Sequence, residues 1–148
     1  MANTLYHPLS LESIDVDTLV QVVDRARSAT QDQRWLEALD KAYDFLLNPH
    51  TDAISIAQDG TALIPSATSE ATYAANGVCQ CSAYAHHKPC WHRAAARIIT
   101  RYTEALEAEA DRLMHAVEAH EQRGDWQAYE AASARWTHIE SLLAEVQR

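Results

Sequence analysis

The sequence predicts an α+β fold, mainly helical, in which a short antiparallel β segment lies between N-terminal helices and a C-terminal antiparallel helical hairpin. Three observations predict it. Alanine is abundant while glycine (three) and proline (four) are scarce, a balance that favours helices because alanine loses no side-chain entropy on entering one. Apolar residues recur by threes and fours over residues 10–28, 32–47 and again after Pro89, the spacing of one helix face. Between those stretches lie Asp59-Gly60 and Asn76-Gly77, two dipeptides that favour tight hairpin turns.

Taken in order, residues 1–9 (MANTLYHPL) read as a loosely ordered lead-in. A first helix is expected from Ser10 to Ser28, with Leu11, Ile14, Leu19, Val22 and Val23 on its apolar face. Residues 28–33 (SATQDQ) break and re-cap it. A second helix runs from about Asp32 to Leu47 on Trp35, Leu36, Leu39, Tyr43, Phe45 and Leu46, and "NPH" at 48–50 ends it, since proline cannot continue the ladder. The runs 53–66 and 71–81 each read as a pair of short strands around their Asx-Gly turn, weak ones because alanine packs poorly in sheets. Beyond Pro89, Ala95, Ile98, Tyr102, Leu106, Ala110, Leu113 and Val117 form one stripe. Trp126, Tyr129, Ala132, Trp136, Ile139, Leu143 and Val146 form another. Gly124 between them suits the residue just past a helix end, and the short link implies an antiparallel pair.

The length of 148 residues suits one domain, 1–148. Three subregions are expected within it: N-terminal helices (1–49), a compact central module (50–101) and the helical hairpin (102–148). With 47% hydrophobic and 22% charged residues, wholesale disorder is excluded. No apolar run is long enough to span a membrane and no leader pattern opens the chain, so the expected location is cytoplasmic and no membrane partner is expected. The net charge of −9 argues against a surface that grips nucleic acid everywhere.

Residues 79–92, CQCSAYAHHKPCWH, hold all three cysteines and three of the eight histidines. Cys79, Cys81, Cys90 and His92 make C-x-C, eight intervening residues, then C-x-H, and three thiolates with one imidazole form a closed tetrahedral site for one zinc ion. An odd number of cysteines cannot close a disulfide framework. A catalytic thiol would leave two cysteines unexplained, and the zinc-deaminase pattern, with its second Pro-Cys-x-x-Cys cysteine and its glutamate, is absent. Cys90 and His92 converge only if the chain enters its helix irregularly, because i and i+2 point apart on a regular helix. Pro89 suits the first turn of that helix. Either His86 or His87 could replace His92 as the fourth ligand, or bond a thiolate from outside the ligand set; spacing favours His92.

The stretch resembles the SWIM zinc finger, whose signature is C-x-C, a variable gap and C-x-H. The likeness extends to Tyr73 on the strand leading to the first cysteine and to "PCWHRAAARI", which is similar to the family's helix, and it covers about residues 50–101. It implies a ββα arrangement and binding of DNA or of proteins. Trp91 departs from the family, which often has lysine there.

From Ala71 through Thr103 there is no Asp or Glu, while Lys88, Arg93, Arg97 and Arg101 add four positive charges. The arginines repeat at i, i+4 and i+8, on one helical face. Two partners suit such a stripe: phosphates of a nucleic acid, or the acidic helices of this chain or of a second copy, since residues 104–148 hold ten acids against four arginines. Trp35, Trp126 and Trp136 read as core or helix–helix residues. Trp91 reads as packing against the hairpin or, alternatively, as a base-stacking contact. The expected function is a non-enzymatic, zinc-binding interaction module with DNA or another nucleic acid as first partner. The alternative is a protein–protein adaptor or homo-oligomer built on the helical hairpin. No acid/base or nucleophile constellation points to an enzyme.

Overall fold

The computed structural model of the chain describes residues 6–8, 14–47, 54–66 and 69–147, and its helices form where apolar spacing placed them. Helix α1 (Val16–Ser28) buries Leu19, Val22 and Val23; helix α2 (Gln33–Leu46) buries Ala38, Leu39, Ala42 and Leu46. Asp32 caps α2, its carboxylate accepting the Arg34 N–H at 2.9 Å, which satisfies one of the donors a helix start leaves free. The expected start of α1 at Ser10 is corrected in part: Asp15 is its extended N-cap and Ile14 precedes it, while Leu11 lies outside the described residues, as does "NPH" at 48–50.

The β segment is a four-stranded antiparallel sheet of β1 (Tyr6–Pro8), β2 (Ser55–Ala57), β3 (Ala62–Pro65) and β4 (Thr72–Ala75), in that spatial order. Strand β1 replaces part of the lead-in expected over residues 1–9, pairing Tyr6 with Ala57 and Pro8 with Ser55. Its edge position tolerates Pro8, which lacks an N–H. The Asp59-Gly60 turn forms as the sequence implies. Gly60 takes φ +86°, a conformation open to glycine at little cost, and the Asp59 carboxylate accepts the Thr61 N–H at 2.8 Å. The second expected strand pair is corrected. Past Asn76-Gly77 only one bridge, Ala75 to Cys79, survives, because the chain leaves the sheet for a four-residue helix, α3 (Ser82–Ala85), that local pattern did not show. Strand β4 pairs with β3 instead.

Helix α4 (Trp91–Arg123) has 33 residues, about 50 Å at ~1.5 Å per residue, and touches α1, α2, β4 and α5. Along 94–99 it is buried on nearly every side: Ala94, Ala95, Ala96, Ile98 and Ile99 are inside and Arg97 alone faces out. Small residues make that packing close, since Ala62 and Ala75 of the sheet are buried as well. Gly124 ends α4 at φ +69°, with Asp125 N–H on His120 O at 3.0 Å and Gly124 N–H on Glu121 O at 3.1 Å, the paired bonds of a Schellman close. Asp125 then caps α5 (Trp126–Gln147) through Ala128 N–H at 3.2 Å. Leu106, Ala110 and Leu113 of α4 are buried, as are Ile139, Leu142 and Leu143 of α5, but no residue between Met114 and His138 is. Trp126 is 59% exposed at the hairpin tip, edge-on to Tyr129 at 5.6 Å, so its expected place in a core is corrected. Trp136 is partly buried against the core.

The start of α1 is tied to both long helices. The Asp15 carboxylate accepts Arg135 Nη2–H at 3.1 Å, the Thr18 hydroxyl and a longer Arg135 bond at 3.4 Å; its backbone N–H donates to the Tyr102 hydroxyl at 3.0 Å. Burial pushes the Asp15 carboxyl up, but the hydrogen bonds from Arg135 and Thr18 and the charge of Arg135 outweigh it and hold the group below the usual carboxylate range. A depressed carboxylate contributes stability above its unfolded pKa, about 3.9, that is lost as pH falls through the folded value. Asp15→Ala is expected to lower unfolding free energy by about 1–3 kcal/mol at pH 7. The gap between variant and parent should close below about pH 4, as measured by urea unfolding at each pH.

Candidate metal centre

Three backbone devices bring the four ligand residues together. Cys79 sits on the single bridge that closes the Asn76-Gly77 turn. Cys81 is the extended N-cap of α3 (φ −75°, ψ 164°), and Cys90 is the extended N-cap of α4 (φ −119°, ψ 143°). His92 lies one turn-step inside α4, so the C-x-H pair converges through the irregular helix entry that its spacing demands. Pro89 precedes the N-cap rather than occupying the first turn of α4, a correction of two positions. One ligand atom from each of Cys79, Cys81, Cys90 and His92 lies within 4.8 Å of the others, and all four residues are buried.

The chemistry of this donor set fits a metal ion. Both ring nitrogens of His92 are buried with no hydrogen-bond partner among the described residues, an arrangement that costs free energy unless something supplies a partner. Burial, with the charge of Lys41 adding to it, pushes the imidazole down to about 4, so it is neutral near pH 7 and offers a lone pair. Each sulfur faces a backbone amide: Cys79 that of Cys81, Cys81 those of Tyr84 and Ala83, Cys90 that of Arg93. Burial still pushes Cys79 up to about 12 and raises Cys90. Cys81 differs. Burial opposes its ionisation too, but the Tyr84 N–H, the bonds from Cys79 and Cys90 and the Ala83 N–H outweigh it and lower its pKa. Metal uptake therefore displaces thiol protons, and affinity falls as pH falls.

The neighbouring histidines stand apart from the quartet. His86 and His87 are exposed and stand outside the quartet; His87 closes α3 in a left-handed conformation (φ 58°), with Lys88 N–H on Ala83 O at 2.9 Å. Trp91 packs on α2 rather than on either hairpin. It is 8% exposed, with Phe45 at 4.8 Å, the His92 ring at 4.2 Å and Lys41 Nζ at 5.6 Å from its centroid. Tyr73 of β4 meets the His92 ring edge-on at 5.0 Å.

The basic stripe divides. Arg93 is partly buried between Trp35 at 5.3 Å and Tyr84 at 5.1 Å, its Nε without a partner among the described residues; this clamp joins α2, α3 and α4. Arg101 pairs with Glu104 at 2.9 Å, both exposed, and exposed pairs are worth little. Lys88 and Arg97 are exposed. Arg93, Arg97 and Arg101 line a shallow cavity of about 320 Å³ with Glu104 and with Gly60, Asn76 and Gly77 from the two turns. The turns were legible in sequence; their approach to α4 was not.

Comparison with known proteins finds no matching family model, curated protein or solved structure. Among the described residues, no helix is long and apolar enough to cross a membrane.

Proposed function

We propose that the chain is a zinc-binding, non-enzymatic interaction module of the SWIM-finger type, in which one structural zinc fixes the head of α4 and that head contacts the phosphate backbone of a nucleic acid. The observation that carries the zinc reading is the buried quartet itself: Cys79, Cys81, Cys90 and His92 within 4.8 Å of one another. Four protein ligands complete a tetrahedron and leave no position for a substrate, the mark of structural rather than catalytic zinc. The nucleic-acid reading is supported by the acid-free stretch from Ala71 to Thr103 and by the seating of Arg97 and Arg101 beside glycine-bearing turns, where a backbone can approach closely. Lys88 is exposed as well and lines a second cleft, with Arg34 and Lys41.

A second reading, a protein adaptor or self-associating module, is favoured by one observation. The outer half of the helical hairpin leaves Trp126 59% and Met114 37% exposed, and tryptophan is a common anchor of protein interfaces.

A gel-shift titration with duplex and single-stranded DNA separates the two. Binding is expected to weaken steeply between 50 and 200 mM salt, by about tenfold or more for three phosphate contacts. It should drop further in Lys88→Ala/Arg97→Ala/Arg101→Ala. Arg93 is left intact in that variant because its loss would loosen the fold. Salt-insensitive binding, or none alongside a dimer on sizing that Trp126→Ala dissolves, would reject the nucleic-acid reading in favour of the second.

A further inference from the structure

A divalent zinc held by three thiolates and a neutral imidazole carries one net negative charge. Here that charge would lie among side chains only 3–5% exposed, and a buried charge is costly unless a partner offsets it. The amides that face the sulfurs are dipoles and soften the cost without cancelling it. A cleft of about 530 Å³ lies between α2 and the finger, lined by Cys81, Cys90 and His92, by three cations, Arg34, Lys41 and Lys88, and by one carboxylate, Glu37. Of these, Lys41 is the one placed over the Trp91 ring, at 5.6 Å, and that ring is 4.2 Å from His92. In a chain with 21 acids against 12 bases, no carboxylate among the described residues forms an ion pair with Lys41.

We propose that Lys41 is the countercharge of the metal centre, so that α2, which lies outside the finger, supplies part of its metal affinity. The proposal rests on the zinc reading above. Lysine suits the role because its ammonium reaches over the Trp91 ring while the residue stays exposed to water. The finger and the helical layer are then linked by charge as well as by the packing of Trp91 on Phe45.

The test uses the full chain and zinc itself, with affinity read by competition against a chromophoric chelator. Lys41→Met, which keeps the stem, is expected to bind zinc about tenfold more weakly, at the low end for residues that support metal ligands. Its metal-free melting should be unchanged. Lys41→Arg should stay within about twofold of the parent because the charge is kept. Added salt should narrow the gap between parent and Lys41→Met, since mobile ions screen an exposed ammonium. Equal zinc affinity in Lys41→Met and the parent overturns the proposal, as does Lys41→Arg binding as weakly as Lys41→Met. A parent chain that binds no zinc would instead overturn the zinc reading itself.

Discussion

Cys81→Ser is expected to abolish stoichiometric zinc and to unfold residues 70–95 while most of the α4–α5 hairpin stays helical. Cys81 is the sulfur with the lowered pKa, supported by the Tyr84 and Ala83 amides at the start of α3, so its loss removes the ligand that ionises most readily. Structural zinc in small fingers contributes roughly 10–16 kcal/mol of apparent binding energy that is also folding energy. The segment it closes has little regular structure of its own: four-residue strands, a single bridge at Cys79 and a four-residue helix. The hairpin keeps Leu106, Leu113, Ile139 and Leu142 packed together, far along α4 from the site. Hydrogen exchange should therefore show fast amides over 70–95 and retained protection near Leu106 and Ile139. Unchanged zinc stoichiometry in the variant would remove Cys81 from the ligand set.

Trp91→Ala should cost about 3–5 kcal/mol, the usual range for deleting a buried large aromatic, and weaken zinc binding with it. The indole fills the space between Phe45 of α2 and the His92 ring; without it His92 loses the wall that orients it and α2 loses one of its contacts with the finger. Trp91→Phe keeps part of that wall and should recover more than half of the loss. Denaturant midpoints and chelator competition measure the two effects. A base-stacking residue would behave in the opposite way, with stability intact and nucleic-acid binding reduced, but at 8% exposure no base reaches the ring without displacing α2.

What could be read in the sequence was what is encoded locally. Helix α2 from its Asp32 cap, the Gly60 and Gly124 turns, and the four ligands all depend on residues within a few turns of one another. The C-x-H pair even demanded the irregular helix entry that Cys90 provides. What escaped depends on distant partners. Strand β1 exists because β2 has a free edge some fifty residues on, and Asp15 finds Arg135 120 residues away. Periodicity placed Arg93 on a stripe with Arg97 and Arg101, and the backbone agrees; its stacking between Trp35 and Tyr84 depends on where α2 and α3 dock. Trp126 shows the converse error. It continues the stripe of α5, but the hairpin ends before anything is there to cover it.

The most direct test is the metal content of the parent chain, purified without added metal and measured by elemental analysis alongside its thiol titre. One zinc per chain, retained at pH 7.5 with all three cysteines protected from a thiol reagent and released together with that protection on acidification, is the expected result. A metal-free chain whose three thiols react freely while the finger remains folded would contradict it.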